Sequence, residues 1–223
     1  QEAYAIDPLD GDVLAGLERL LTGTGRLDDL ISLLERRAAE VAGSDSATEL
    51  ALLVRIGEIY RKELQDPGRA VEYFEKVLER KPNHTLALSA LADLHEQAGD
   101  WQRCITVLDK AAQTAEDTKA MGDCFYRIGL IKRDRMGDVA GAMESFNAVL
   151  EVDPEHRAVL STLKEYFAKE EDWGRYAAIM EAEERVTTEP EAKVALLLEL
   201  AALMRDRLHA PDQALGYLEQ ANS

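Results

Sequence analysis

Apolar residues along the chain come in short bursts spaced by three and four positions, separated by polar turns that carry Gly, Pro and Asp. Leu53, Ile56 and Tyr60 form one such stripe, and Phe74 and Val77 another. A period near 3.6 residues predicts amphipathic helices with one buried face. The spacing predicts helices at about 10–22, 26–42, 46–64, 67–80, 84–98, 100–115, 117–136, 139–151, 155–170, 172–186, 190–208 and 211–221. The boundaries carry their own signals. Asp66-Pro67 and Pro211 put proline in a first helical turn, where its missing N–H costs nothing. Pro82 and Pro154 end one helix and turn the chain into the next. Gly99-Asp100 and Gly137-Asp138 each read as a helix stop followed by an N-cap.

The pattern repeats in register every 72 residues. Arg55-Ile56-Gly57 returns as Arg127-Ile128-Gly129, Ala70 with Phe74 as Ala142 with Phe146, and Asp100-Trp101 as Asp172-Trp173. A further step reaches Leu200-Ala201, Pro211, Ala214 and Leu218, which match in kind. Each period splits into two helix–turn–helix units. Aligned on one position of each second helix, the units give Leu30, Ala70, Cys104, Ala142, Tyr176 and Ala214, with gaps of 40, 34, 38, 34 and 38 residues. Self-similarity on this scale predicts a stacked array in which each hairpin buries its apolar face on its neighbours. The expected units are 9–43, 46–81, 83–116, 117–153, 155–188 and 190–223. Tyr4-Ala5-Ile6-Asp7-Pro8 matches Leu150-Glu151-Val152-Asp153-Pro154, the close of a second helix, and no polar capping helix follows Asn222-Ser223. The expectation is therefore a segment of a longer array, with self-association through its uncapped ends.

Charge narrows the partners. The chain holds 26 Lys and Arg against 43 Asp and Glu, a net −17, which repels phosphate backbones and argues against nucleic-acid binding. A basic partner segment would be drawn to such a surface. No run reaches 18 apolar residues, so no membrane insertion is expected. Cys104 and Cys124 have neither metal-type spacing nor a disulfide framework, and reduced thiols suit a cytoplasmic location.

The residues of each unit resemble the tetratricopeptide repeat, whose spacing runs from a large residue through Leu-Gly and Tyr to Ala, Phe and Pro. Leu53-x-x-Ile56-Gly57-x-x-Tyr60, Ala70-x-x-x-Phe74 and Pro82 fit it, as do Phe125-x-x-Ile128-Gly129, Ala142-x-x-x-Phe146 and Pro154. Leu88, Leu91, Ala92, His95, Cys104 and Leu108 make a weaker copy. So do Leu160, Leu163, Lys164, Phe167, Tyr176 and Met180. The resemblance implies an all-α, right-handed superhelical solenoid of about six antiparallel helix pairs, similar to a segment of a long bacterial array with a two-repeat period. It also implies a concave groove lined by the first helix of each pair, where a protein or peptide partner lies.

Candidate chemistry is sparse. His84 and His156 recur and so belong to the turn; His95 stands where siblings have Tyr60 and Phe167; His209 sits at a helix end, where the dipole accounts for it. No phosphate loop, nucleophile elbow or helical zinc pair is present, so neither catalysis nor a metal or other cofactor is expected. Trp101 and Trp173 read as plugs between units. On the groove face implied by the resemblance, Arg61, Arg133 and Arg205 form a ladder, and Arg55 and Arg127 add a second row. Glu58, Asp93 and Glu165 supply the opposite sign, so the face alternates in charge. These arginines either pair with acidic neighbours or grip carboxylates of a partner. Tyr126, where siblings have Val54 and Leu198, is either an exposed anchor or a packing residue. The Lys and Asn positions of chaperone-tail clamps are filled here by Val54, Glu58, Ser89 and Asp93, so that clamp is absent. The expected role is a protein-interaction scaffold. A regulatory arm on an effector domain is the alternative, and an RNA-processing repeat or an enzyme is disfavoured.

Overall fold

The computed structural model describes residues 11–222, with side chains from residue 16 onward, and every regular element among them is helical. Twelve α-helices alternate with short turns. They are α1 (Gly11–Gly23), α2 (Leu27–Val41), α3 (Ser46–Lys62), α4 (Pro67–Arg80), α5 (Thr85–Ala98) and α6 (Trp101–Gln113). These are followed by α7 (Thr118–Ile131), α8 (Val139–Val152), α9 (Arg157–Lys169), α10 (Trp173–Val186), α11 (Pro190–Asp206) and α12 (Pro211–Ala221). Each span lies within two residues of its sequence expectation except at α7, which passes into a π turn, Lys132–Met136, where a plain α-helix is expected. The motif at 4–8 lies outside the described residues.

The chain forms two compact units, Gln1–Thr114 and Ala115–Ser223. In the first, the hairpins α1–α2, α3–α4 and α5–α6 stack in order, α2 packing on α3 and α4 on α5. In the second, α7–α8, α9–α10 and α11–α12 do the same, with α10 on α11. Helix pairs joined by a few residues and stacked on sequence neighbours are what an array of short amphipathic helices must form. One hairpin alone leaves its other apolar face wet.

The alignment of the six units has a backbone signature. Gly25, Gln65, Gly99, Gly137, Glu171 and His209 each lie five residues before the aligned position, and all six have φ between 51° and 72°. A left-handed residue ends the first helix and reverses the chain into the second. Glycine adopts this conformation freely, whereas Gln65, Glu171 and His209 adopt it at a steric cost. His209 thus stands at the turn position that glycine fills in three of the other units. The next residue caps the second helix in the four central hairpins. Asp66, Asp100, Asp138 and Asp172 each accept a hydrogen bond from the backbone N–H three residues on, at 2.9–3.2 Å. In the outer hairpins Arg26 and Ala210 stand there, and neither makes a side-chain cap.

Gly57 and Gly129 permit the close crossing inside their hairpins. A Cβ at Gly57 would lie 3.0 Å from the Phe74 ring, and one at Gly129 would lie 2.4 Å from the Phe146 ring. Both rings are fully buried, with Ala70, Val77, Ala142 and Val149 beside them. The weaker copy at 155–188 solves the same crossing differently: Lys164 replaces the glycine, and its ammonium reaches Glu183 on α10 at 2.6 Å. Cys104 is buried in its alanine slot and its Sγ donates to the Ala92 carbonyl. Trp173 lies against the cluster of Ala177, Met180 and Leu203, with the Arg207 guanidinium 4.8 Å from its ring.

One position covaries with its neighbour along the repeat. Tyr60 stacks on Tyr73 at 5.6 Å. One period on, the same pair is Lys132 and Ser145, with Lys132 Nζ 3.3 Å from Ser145 Oγ. Tyr73 and, two periods on, Tyr217 donate their phenols to Glu35 and Glu181 of the preceding hairpin. Burial and the adjacent carboxylate raise both phenols, Tyr217 to about 12.

Candidate functional site: the groove of α3 and α5

A concavity of about 630 Å³ lies in the first unit between the first helices of consecutive hairpins. Ala47, Leu50, Ala51, Val54, Arg55, Glu58 and Lys62 line one side, spaced by three and four residues along a single stripe of α3. Lys81, His84 and Leu86 close the other side at the start of α5. Leu50 and Val54 rest on the core with their outer surfaces open, and Leu86 is 66% exposed. The floor is therefore apolar and in part solvent-facing.

His84 anchors the wall. It is the N-cap of α5, its Nδ1 accepting from Ala87 N–H at 3.4 Å, and His156 caps α9 in the same way at 3.3 Å. The two recurrent histidines are architectural, as their recurrence implies. Burial and the neighbouring Lys81 ammonium hold the His84 imidazole below the usual histidine range.

The charges of the groove divide into occupied and unoccupied. Glu58 accepts from Lys62 at 2.5 Å and from Arg61 at 3.0 Å. Burial raises its carboxyl, but these two cations more than offset that and hold it below the usual range. Arg61 also reaches Asp93 on α5 at 3.7 Å, tying the two first helices together. The side chains of Arg55 and Lys81 make no ion pair or hydrogen bond among the described residues, and both residues are exposed.

The expected ladder thus separates. Arg61 spends its charge inside the unit, Arg133 on Asp134 at 2.6 Å, and Arg205 on Asp206 at 2.6 Å. Arg133 also lies 6.0 Å over the Phe146 ring, and Glu165, the counterpart of Asp93, faces it without a close bond. Arg127 is half-buried beside Cys124, whose thiol burial pushes up. Tyr126 is half-buried, its ring 5.2 Å from His156 and 6.0 Å from Phe146, which places it in packing. Of the residues singled out from sequence, Arg55 and Glu58 line the groove. Leu50, Lys81 and Leu86 were missed, although a signal existed: each differs in kind from its counterpart 72 residues on, Gly122, Asp153 and Ala158.

The second unit has a concavity of about 490 Å³ at the matching place, lined by Thr118, Lys119, Asp123, Val152, Asp153, Pro154, Glu155 and His156. It is confined to the start of α7 and the α8–α9 turn, and its carboxylates outnumber its single cation. No cluster of His, Cys, Asp and Glu that could hold a metal occurs among the described residues. No described helix is long and apolar enough to cross a membrane.

Comparison with known proteins agrees with this architecture. The family model of the TT21 fifth ARM repeats domain matches residues 56–149, fewer than half of the chain. No curated protein sequence matches. Among solved structures, a tetratricopeptide repeat protein from Parabacteroides merdae has 15% identity and a TM-score of 0.55, covering 94% of this chain and 77% of its own. PilF of Pseudomonas aeruginosa has 20% identity and a TM-score of 0.50, covering 94% and 89%. A double mutant of MamA has 19% identity and a TM-score of 0.50, covering 80% and 97%. At these identities the likeness is one of fold.

Proposed function

We propose that this chain, a helical-repeat protein with the tetratricopeptide-like fold, is a protein-interaction scaffold that receives a segment of a partner protein along its first-helix face. One observation carries the reading: the α3–α5 groove exposes an apolar floor of Leu50, Val54 and Leu86 rimmed by the unoccupied cations Arg55 and Lys81. Burying exposed aliphatic carbon returns roughly 25 cal/mol per Å². The helices that bear the groove are already packed, so little ordering cost falls on the scaffold when a segment binds. The role is one of holding and orienting, with no reacting group required. Its mechanism is fixed spacing: side chains on successive turns of α3 stand about 5.4 Å apart along the axis and meet successive side chains of the guest.

The test is a peptide-display selection on the whole chain, followed by binding to Val54→Asp and Leu86→Asp variants. Selected segments are expected to lose most of their affinity for both variants while the far-ultraviolet dichroism is unchanged. Failure to select any segment, or segments indifferent to both substitutions, would contradict the assignment.

A further inference from the structure

We infer that the α3–α5 groove selects segments in which large apolar side chains are interspersed with carboxylates, and that the matching place in the second unit rejects them. The inference rests on the scaffold reading and adds the chemistry of the guest.

Charge bookkeeping within the groove supports it. The lining cations are Arg55, Lys62 and Lys81, and the lining anions are Glu58 and Glu63. Glu58 is held by Lys62 and Arg61, and Arg61 is shared with Asp93. Glu63 is the C-cap residue of α3, at the end of the stripe. What remains unspent beside the apolar floor is therefore positive: Arg55 in the middle of the stripe and Lys81 at the start of α5. The N-terminal end of the α5 dipole adds to the same sign. A guest carboxylate meets two donors that no internal partner competes for, whereas the one lining carboxylate without a cation, Glu63, stands at the far end of the stripe.

The net charge of −17 works the other way at long range and would favour a basic guest. At physiological ionic strength its reach is limited to about 8 Å. Groups in direct contact then decide affinity, and in this groove those are Arg55 and Lys81.

In the second unit four substitutions at the 72-residue step remove the site. Tyr126 stands for Val54 and fills the space against His156 and Phe146. Asp123 stands for Ala51, with a carboxylate oxygen 3.8 Å from His156 Nε2. Asp153 stands for Lys81, and Ala158 for Leu86. The apolar floor is lost, and the one lining cation, Lys119, is outnumbered by Asp123, Asp153 and Glu155.

The experiment uses the full chain and three blocked, fluorescein-labelled peptides: three leucines spaced by aspartates, the same with lysines, and the same with serines. Anisotropy is expected to show the aspartate peptide binding about tenfold or more tightly than either control. Arg55→Glu combined with Lys81→Glu is expected to remove that advantage, and Val54→Tyr to abolish binding. Both cations are exposed, so their replacement leaves the fold readable by dichroism. Equal or tighter binding of the lysine or serine peptide, released by Val54→Tyr, overturns the acidic selectivity and leaves the scaffold reading standing. An aspartate peptide that binds regardless of Val54→Tyr and Leu86→Asp lies elsewhere and overturns both. Absence of aspartate-peptide binding up to about 1 mM overturns the inference.

Discussion

Residues 45–86 and 117–158 fold into the same arrangement, yet one carries an open apolar groove and the other a smaller, more acidic concavity. Asp45 and Asp117 cap their first helices, Gly57 and Gly129 admit Phe74 and Phe146, and His84 and His156 cap the helix that follows. Where the two copies agree, the residues build the hairpin. At the groove the copies differ at Ala51 and Asp123, Val54 and Tyr126, Lys81 and Asp153, and Leu86 and Ala158, with Tyr126 packed inward on His156 and Phe146. Recurrence thus marks framework, while the groove lining varies between the two copies.

The comparison breaks most sharply at the two buried rings. Phe74→Ala and Phe146→Ala are each expected to cost about 3–5 kcal/mol, since both rings are fully enclosed. Urea denaturation should give similar losses; a large disparity would mean that the two copies are not equivalent frames. Below that come the glycines. Gly129→Ala places a methyl 2.4 Å from Phe146, and Gly57→Ala places one 3.0 Å from Phe74. Each is expected to destabilise by about 1–3 kcal/mol, with the Gly129 variant the worse.

The left-handed turns sharpen the comparison further. Gly99→Ala is expected to lose up to about 1 kcal/mol, and Glu171→Gly, its counterpart, to gain a similar amount. Thermal melts of the two variants should shift in opposite directions. The smallest effect concerns pH. The His84 imidazole is held below its unfolded value of 6.5, so it favours the folded state above that pH. This contribution is lost as pH falls through the lowered value, because the protonated ring can no longer accept from Ala87 N–H. His84→Asn, which caps without titrating, is expected to flatten the acid limb of the stability profile.

Much of the fold is legible in the sequence because the forces that make it are local. Gly99-Asp100 and Gly137-Asp138 announce a left-handed stop and a cap within two residues, and the apolar period marks each buried face. Gln65, Glu171 and His209 hide the same turn, and only alignment with their glycine siblings reveals it. The π turn at Lys132–Met136 carries no composition signal, because it is a small redistribution of bonds at a helix end. The groove was half legible. The first-helix face is located through Arg55 and Glu58, but sequence leaves open whether the arginine ladder pairs internally or stays free. Its carboxylate partners are adjacent in sequence at Asp134 and Asp206, yet lie across a helix gap at Asp93. Tyr126 drew notice as a residue that does not recur; applied equally to Leu50, Lys81 and Leu86, that criterion would have found the groove.

Amide hydrogen exchange with the leucine–aspartate peptide bound tests the central claim most directly. The account predicts slowed exchange along α3 and at the start of α5, with α7 and the start of α9 unchanged. Slowing confined to α4 and α6, or equal slowing in both copies, would contradict it.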